Sequence, residues 1–443
     1  MTQPTLNEQR CQISIVSPLH LNRLDYKSSY NHMLVLIEGQ SENIEVKICN
    51  NRKLRINLDH IGMQYVVKYY VFLSLGDQFK AEDLFKKITH FLNQPVHEII
   101  LLLPYLLAPS ENFRIDSNVR SFIISKKVFD SKIFSLINPA RFIYEMVNFY
   151  LNSPQSNNIE IVQVGKPEPL SEVNENGIST EINESSVQIT HKGPLKLLKR
   201  CLTHLDKTKM LPQKVEICFD DNSYKRLDLK QFKNIIDNTT LYKNSPLAVG
   251  PFLARQYMVE QSANEYIYLL DSDDISVPSR FSKLMLELKE RNLDLLGSHE
   301  LRIDQIGKKL VIARFPLNVN YALAKRSFHP MLHGTCIMTK AGFLKTGGYS
   351  TEGKFGYDTQ FLLRAGFFLK IGNVDDFLYL RFQRPNSLTT AKKTMYGTKR
   401  RKFMGWRWQV DFNLVCSGKL NLSDSSLRER KHDFNFKIDE ITK

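Results

Sequence analysis

Apolar and polar positions alternate between two periods along the second half of the chain. Short apolar runs such as Val215–Phe219 and Tyr266–Leu270 are typical of buried strands, whereas Leu195–Leu205 repeats leucine at helical spacing. Another helix is predicted after Pro278, which suits the first turn of a helix that Ser276 would cap. Repeated strand-then-helix order predicts an α/β fold with a Rossmann-like, mostly parallel sheet flanked by helices.

The first half of the chain has a different pattern. Strand-like runs such as Met33–Ile37 and Val66–Leu73 precede helical patterns near Ala81–Leu92 and Ala140–Leu151. This order predicts a separate α+β domain, and it contains no recognisable chemical motif. A polar, acidic stretch poor in aromatic residues then predicts a linker. The predicted domains are an N-terminal domain (1–165), a linker (166–186), an α/β domain (187–410) and a charged C-terminal tail (411–443).

Composition narrows the class of protein. The 443 residues are too many for most single domains, and 42% hydrophobic residues are enough to form a core. The sequence has no uncharged apolar run of about 18 residues and no signal-peptide pattern at its start, so a cytoplasmic protein is predicted. Six scattered cysteines without a CxxC pair favour reduced structural cysteines over a zinc or redox site.

The formal net charge of +15 favours anionic partners, although lysine-rich solubility gives the same balance. Between residues 392 and 408 seven basic residues interleave with four aromatic residues, and no acid occurs. This stretch fits a lid over a diphosphate, a peripheral contact with an anionic membrane, or a solvated face. Nucleic acid is the least favoured partner, because no nucleic-acid module occurs elsewhere in the chain.

The strongest chemical signal is an acidic turn. Residues 271–274 read Asp-Ser-Asp-Asp and directly follow an apolar strand, so three carboxylates repel one another unless a cation lies among them. Oxygen ligands of this kind suit Mg²⁺ or Mn²⁺, and a solvated turn is the alternative. A second strand ends in Asp220 and Asp221. Since ligands bind beyond the carboxyl ends of strands in such sheets, both acidic turns point to one cleft.

The order of these motifs resembles the family 2 glycosyltransferases of GT-A fold. The resemblance covers about residues 187–390, and its pieces stand in the family's order. They are Asp220-Asp221-Asn222-Ser223, Ala254-Arg255-Gln256, Asp271-Ser272-Asp273-Asp274, His329-Pro330, Gly347-Gly348-Tyr349 and Gly356-Tyr357-Asp358.

The resemblance implies roles for the donor side of the cleft. Asp220 and Asp221 match the pair that contacts the nucleotide base. Arg255 matches an arginine that faces the nucleotide or diphosphate, with a surface arginine as the alternative. Asp271 and Asp273 match the D-x-D pair, which binds the metal and the ribose or diphosphate; Asp273 is the sharper metal candidate.

On the acceptor side, the resemblance makes Asp358 the general base that takes the proton of the acceptor hydroxyl. A plain helix N-cap is the alternative for Asp358. His329 and His333 flank Pro330, which disfavours a regular helix, so a loop on the acceptor side is expected rather than a second metal site. For His333, a structural histidine with its hydrogen bonds satisfied is favoured.

The chain departs from the family pattern at three places. Tyr357 replaces the first acid of the pair before Asp358, and Asn222 replaces a turn glycine. A final Arg-x-His step reads Arg381-Phe382-Gln383-Arg384, without the histidine. Arg381 or Arg384 is then a candidate for neutralising the diphosphate.

The predicted function is an inverting, metal-dependent glycosyl transfer. The donor would be a nucleoside-diphosphate sugar, with UDP favoured, and Mn²⁺ or Mg²⁺ would be the cofactor. The acceptor would be a glycan or lipid-linked glycan of surface polysaccharide synthesis, at the inner face of the cytoplasmic membrane. A sugar-phosphate nucleotidyltransferase is disfavoured, because Thr190–Pro194 contains a single glycine where a phosphate loop is expected. A non-catalytic nucleotide- or glycan-binding protein is the third alternative.

Overall fold

The computed structural model describes residues 178–441 apart from 246–247, 328, 396 and 430–436. Before residue 178 it describes the segments 13–14, 32–37, 44–45, 67–73, 83, 98–105, 114–119, 121–125, 139–153, 159–164 and 166. The chain divides into two compact units. The first comprises Met1–Leu106, Asn118–Glu168 and Lys308–Leu310, and the second comprises Leu107–Ser117, Pro169–Gly307 and Val311–Lys443.

The first unit contains a five-stranded sheet with the strand order β2-β4-β7-β5-β8. Its pairs are antiparallel except β5 with β8, which is the pairing expected of an α+β arrangement. The predicted helix near Ala81–Leu92 lies outside the described residues apart from Asp83. The described elements of this half, of which β6 belongs mainly to the second unit, are β1 (Ile13–Ser14), β2 (His32–Ile37), β3 (Ile44–Glu45), β4 (Val67–Leu73), β5 (Ile99–Pro104), β6 (Ile115–Asn118), β7 (Ser121–Ser125), α1 (Pro139–Leu151) and β8 (Glu160–Val164).

The second unit is built on a mixed sheet with the strand order β13-β17-β14-β16-β12-β9-β10-β11-β18. Its four neighbouring strands β12, β9, β10 and β11 are parallel, and antiparallel strands flank them on both sides. The predicted fold class is therefore confirmed. The strands are β9 (Ser185–His191), β10 (Lys214–Phe219), β11 (Thr239–Ser245), β12 (Tyr266–Asp271), β13 (Ile275–Ser276), β14 (Leu295–Asp304), β15 (Lys309–Arg314), β16 (Ile337–Thr339), β17 (Ile371–Gln383) and β18 (Lys437–Ile441).

Helices cover both faces of this sheet. Along β12 the side chains alternate: Tyr266, Tyr268 and Leu270 join one apolar cluster, whereas Ile267 and Leu269 join another. Helices α3 and α5 pack in the first cluster and α4, α6, α8 and α9 in the second. The helices of this unit are α2 (Ser179–Ile182), α3 (Leu195–Leu205), α4 (Pro251–Gln261), α5 (Arg280–Glu290), α6 (Val319–Lys325), α7 (Lys340–Lys345), α8 (Tyr357–Ala365) and α9 (Lys399–Cys416).

One predicted helix start is wrong. Helix α5 begins at Arg280, after Pro278, and its N-cap residue is Ser279. Ser276 instead lies in β13, and the backbone N–H of Val277 donates to the carbonyl of Leu378. Because pairing with β17 holds the chain extended through Val277, the helix cannot begin earlier.

The structure also differs from the predicted linker and tail. Ile178 and Ile182, within the predicted linker, are buried in the core. The predicted boundary at 410 falls inside α9, and β18 pairs with β11 to form one edge of the sheet. Leu427 is buried, and its carbonyl accepts from Arg364 Nη1 at 2.6 Å. A single buried leucine and one main-chain hydrogen bond are hard to predict from a charged sequence. Across the part of the chain that the structure describes, no helix is long and apolar enough to span a membrane.

Candidate active site

Three parallel strands bring the acidic turns to one edge of the sheet. In the pairing register Phe219 lies beside His191, and Asp271 lies beside Thr190. The turns that follow β10 and β12 therefore emerge next to each other, with the end of β9 between them. This confirms the predicted meeting of the two acidic strand ends.

Asp220 is a buried carboxylate whose oxygens are largely occupied by protein donors. Its Oδ1 accepts from Asn244 Nδ2 at 2.7 Å and from the Val249 N–H at 2.8 Å, and its Oδ2 accepts from the Gly250 N–H at 3.1 Å. Lys192 Nζ lies 3.5 Å from Oδ2. This side chain orders the loop before α4, and little of its acceptor capacity remains for a nucleotide base.

Asp221 is the more open member of the pair. Its Oδ1 accepts from the Ser223 N–H at 2.8 Å, and its Oδ2 accepts from the Gly193 N–H at 2.6 Å. Burial opposes its charge, but the hydrogen bonds from Ser223 and Gly193 and the nearby His191 lower the pKa of Asp221 below its ordinary value. Asp221 is thus a stable anion beside the end of β9.

Asp271 forms an ion pair with a buried arginine. Arg255 Nη2 donates to Asp271 Oδ1 at 2.5 Å, and Arg255 Nη1 lies 3.2 Å from His333 Nδ1. Only 4% of the Arg255 side chain is exposed, against 43% of the Asp271 side chain. Burial opposes the charge of Asp271, but Arg255 lowers its pKa below the ordinary value. The alternative of a surface position for Arg255 is therefore wrong.

His333 completes this chain of contacts. Burial lowers the pKa of His333 to about 3, so its ring is neutral at neutral pH. Its Nδ1 then accepts from Arg255, and its Nε2 donates to the Tyr349 hydroxyl at 2.5 Å. The expected structural histidine is confirmed, and it links Arg255 to the apolar cluster beneath α8.

Asp273 has arginine partners of its own. Arg384 Nε donates to Asp273 Oδ2 at 2.7 Å, and each of these side chains is 21% exposed. Arg200 Nη2 donates to the main-chain carbonyl of Asp273 at 2.5 Å, and its guanidinium lies 3.4 Å from the centroid of the Phe382 ring. Arg381, the other candidate from the sequence, faces Glu300 at 3.5 Å instead.

Asp274 is held by hydrogen bonds. It is buried, with Oδ2 accepting from the Tyr379 hydroxyl at 2.9 Å and Oδ1 accepting from the Phe382 N–H at 2.7 Å. Burial, together with the charges of Asp273 and Asp271, raises the pKa of Asp274 well above its ordinary value. The Tyr379 hydroxyl also accepts from the Asp271 N–H at 3.2 Å, so one side chain braces both ends of the turn.

The acidic turn is therefore compensated by the protein itself, and the question is whether a cation still fits. Asp271 Oδ2 and Asp273 Oδ1 accept no hydrogen bond from the described residues, and both side chains are partly exposed. No group of three or more His, Cys, Asp or Glu side chains among the described residues could enclose a metal. The two free oxygens thus suit a divalent ion that also takes phosphate oxygens as ligands.

Asp358 lies in the first turn of α8, where the helix dipole stabilises a negative charge. The N-cap position belongs to Gly356, whose φ of 83° is left-handed, so the N-cap alternative for Asp358 is wrong. The half-buried Asp358 side chain forms no hydrogen bond with a described residue. It lines a pocket with Leu295, His329, Met331, His333, Cys336, Phe361 and Leu362.

The loop before Asp358 is fixed from two sides. The guanidinium carbon of Arg401 lies 4.9 Å from the centroid of the Phe355 ring, and the ring centroids of Tyr357 and Trp408 are 5.7 Å apart. On the other side, Gln256 Oε1 accepts from the Tyr349 N–H at 2.7 Å. Helix α9 and helix α4 thus position the turn that carries the candidate base.

The sequence did not reveal three residues of this site: His191, Arg200 and Tyr379. His191 Nδ1 lies 2.9 Å from the Ser272 hydroxyl, Arg200 holds the backbone of Asp273, and Tyr379 braces the turn. His191 ends the strand beside the acidic turns, so its place in the register was a usable signal. Arg200 and Tyr379 gave no such signal, because Arg200 lies in the amphipathic helix α3 and Tyr379 lies in the long strand β17.

The comparisons with known proteins concern the part of the chain that carries most of these residues. Residues 186–347 match the family described as Glycosyl transferase family 2. The second unit therefore resembles the family 2 glycosyltransferases over this segment, and the resemblance predicted from the sequence is confirmed there. No curated protein matches the chain.

Two solved structures with a bound nucleotide sugar are among the matches. The S. aureus TarS 1–349 complex with UDP-GlcNAc is 16% identical, with coverage of 54% of this chain and 75% of that chain and a TM-score of 0.38. The mannosyltransferase PcManGT from Pyrobaculum calidifontis, in complex with GDP-Man and Mn²⁺, is 10% identical, with coverage of 64% and 72% and a TM-score of 0.37. Scores of this size do not establish a shared fold.

Proposed function

We propose that the second unit catalyses inverting transfer of a sugar from a nucleoside-diphosphate sugar to a hydroxyl group of a glycan acceptor. One connection carries the proposal: Arg255 bonds both Asp271, in the acidic turn, and His333, which lines the same pocket as Asp358. This connection supports placing Asp358, which accepts no hydrogen bond from a described residue, on the acceptor side of the same site. A UDP-sugar and an acceptor of surface polysaccharide synthesis follow from the family resemblance.

Asp358 would act as the general base. It accepts the proton of the acceptor hydroxyl while the acceptor oxygen bonds to the anomeric carbon, and the bond from that carbon to the diphosphate oxygen breaks. Burial lowers the pKa of the neighbouring His329, so that ring is neutral and leaves the carboxylate without a cationic partner there. An unpaired carboxylate is free to take the proton.

The leaving nucleoside diphosphate needs neutralising charge. A divalent cation held by Asp271 and Asp273 would supply Lewis-acid stabilisation of the leaving phosphate when bound. The protein's own groups orient that site: Arg255 fixes Asp271, and Tyr379 with Arg200 fixes the backbone of the turn. Asp221 would accept from the nucleotide base, and Asp220 would hold the loop behind it.

Binding of nucleotide sugars tests this proposal. We expect the full chain to bind a UDP-sugar in calorimetry with Mn²⁺ present and to release UDP when a glycan acceptor is added. Asp221→Asn should weaken binding about tenfold, the loss expected for one charge-assisted hydrogen bond. Asp228→Asn is the matched control, because Asp228 Oδ1 also accepts from a backbone N–H two residues on but is exposed.

The other enzyme class gives a different result in the same assay. A sugar-phosphate nucleotidyltransferase would release pyrophosphate from a nucleoside triphosphate and a sugar 1-phosphate. That result, or the absence of binding to every nucleotide sugar in a panel, would contradict the proposal.

We further propose that the protein binds an anionic membrane surface through residues 392–408, here called the basic-aromatic segment. Residues 385–410 contain seven Lys or Arg and no Asp or Glu. Phe403 and Trp406 are 59% and 61% exposed and lie one turn apart on α9, with ring centroids 6.1 Å apart. Exposed aromatic rings among exposed cations suit the interface of an anionic lipid bilayer, where charge and apolar burial act together.

Vesicle binding tests the membrane contact. We expect the full chain to sediment with phosphatidylglycerol-rich vesicles and not with phosphatidylcholine vesicles, and to do so less at high salt. The double change Phe403→Ser and Trp406→Ser should weaken that binding about 100-fold or more, since each buried ring contributes roughly 1.5–3 kcal/mol and about 1.4 kcal/mol is tenfold. Leu344→Ser is the control, as Leu344 is exposed on α7. Equal binding to both lipids would contradict a charge-driven contact.

A further inference from the structure

Three arginines surround the acidic turn, and they differ in how firmly they are held. Arg255 is 4% exposed and uses two of its nitrogens, on Asp271 and His333. Arg200 is 8% exposed, donates to the Asp273 carbonyl and stacks on Phe382. Both are therefore fixed parts of the site.

Arg384 is held by a single bond. Its Nε donates to Asp273 Oδ2, and its Nη1 and Nη2 donate to no described residue. A guanidinium has five N–H donors, so four of them remain for a ligand. With 21% of each side chain exposed, the pair is partly buried but still reached by water, so its net stabilisation is expected to be modest, about 1 kcal/mol.

The backbone of Arg384 is fixed while its side chain is not. The Arg384 carbonyl accepts from the Thr390 hydroxyl at 2.6 Å, and the Ser387 N–H donates to the same hydroxyl at 3.0 Å. This turn after β17 anchors the base of a long side chain at the mouth of the acidic turn. A phosphate anion suits the free N–H groups of such a fork.

The position also has a chemical logic. In the resemblance to the glycosyltransferase family, the chain lacks the histidine of the Arg-x-His step and has Arg384 at the end of this stretch. An arginine cannot bind a metal, since it has no acceptor atom. It neutralises the carboxylate that the metal would otherwise use.

We propose that Arg384 is the internal counter-ion of Asp273 in the donor-free protein. When the donor binds, Arg384 leaves Asp273, the divalent cation takes its place on that carboxylate, and the free N–H groups of Arg384 donate to the donor diphosphate. The proposal rests on the proposed function of the acidic turn. It makes Arg384 a positioning residue that competes with the metal before the donor binds and assists the donor afterwards. These two effects have opposite signs in a variant without the guanidinium.

The test is Mn²⁺ binding by the full chain, followed by electron paramagnetic resonance of free Mn²⁺, and UDP binding by calorimetry. Arg384→Gln should bind Mn²⁺ about two- to fivefold more tightly, because the competing ion pair is gone. The same variant should bind UDP about tenfold more weakly in saturating Mn²⁺. Arg384→Lys, which keeps the charge but not the fork, should restore the parent Mn²⁺ affinity and only part of the UDP affinity.

Two further variants fix the interpretation. Asp273→Asn should lose Mn²⁺ binding in both the parent and the Arg384→Gln background. Arg141→Gln is the matched control: Arg141 Nε also donates to a carboxylate, on Glu145 at 2.8 Å, but on helix α1 of the other unit. It should change neither affinity.

Unchanged Mn²⁺ affinity in Arg384→Gln would overturn the proposal, as would equal losses of Mn²⁺ and UDP affinity. The Mn²⁺ measurement needs no nucleotide sugar and no turnover. Failure of the donor panel would therefore overturn the proposed function separately, and it would be recognised by absent UDP-sugar binding in the parent protein.

Discussion

Replacing Asp358 by Asn is expected to abolish most of the transfer while leaving donor affinity unchanged. The amide keeps the size of the side chain at the start of α8 but cannot accept the proton of the acceptor hydroxyl. General base catalysis contributes about 10²- to 10⁴-fold, so transfer should fall by that factor. The measurement is the rate of sugar transfer at saturating donor, with donor affinity from calorimetry on the same preparation.

The structure gives reasons to expect a clean separation of binding from transfer. Asp358 forms no hydrogen bond with a described residue, so its replacement strands no buried donor. Asp237→Asn serves as the control. Asp237 is exposed and lies just before β11, so this change should alter neither the transfer rate nor the donor affinity. Transfer within twofold of the parent in Asp358→Asn would remove Asp358 from the role of base.

The fold of the second unit could be predicted because its sequence repeats simple local patterns. Leu195–Leu205 is a helix with the predicted bounds, and β12 follows the apolar run that ends at Leu270. Parallel strands ending in acids also fix where a cleft must form. The meeting of the two acidic turns therefore came from strand order, whereas the role of Asp358 came from the family resemblance and stays a prediction.

The electrostatics of the site could not be predicted in this way. The acidic turn alone suggested that an added cation was needed to offset three carboxylates. In the structure Arg255, Arg384 and Tyr379 offset them, and these partners lie 16, 111 and 105 residues away from Asp271, Asp273 and Asp274. Such pairings depend on strand register and on the length of the side chains, and neither can be predicted from a local sequence pattern.

The assignment of Asp220 shows the same limit. A motif position cannot distinguish a carboxylate that binds a ligand from one that binds its own loop. Asn244, Val249 and Gly250 lie far from Asp220 in sequence but fill its oxygens in the structure. Asp221, next to it, keeps more acceptor capacity. Asp220 therefore orders the loop, and Asp221 is the better candidate for binding the ligand.

The ion pair between Asp271 and Arg255 is expected to matter for stability as well as for donor binding. Asp271→Asn removes the carboxylate and leaves a guanidinium that is 4% exposed beside a neutral His333. Breaking a buried pair in this way costs 3–5 kcal/mol, and about 3 kcal/mol is expected here because the Asp271 side chain is 43% exposed. The expected readout is a fall of roughly 5–10 °C in Tm.

The opposite single variant and the double variant show which group carries that cost. Arg255→Met leaves a carboxylate that water can reach, so it should destabilise the protein less than Asp271→Asn does. The double variant leaves no buried charge and should recover stability relative to Asp271→Asn, while donor binding stays lost, because neither the carboxylate nor the guanidinium is present. Equal Tm values for the two single variants would show that the buried guanidinium is solvated by some other route. In that case Asp271 would be free to bind the metal without a stability role, and its link through Arg255 to His333 and the Asp358 pocket would no longer be needed to hold the site together.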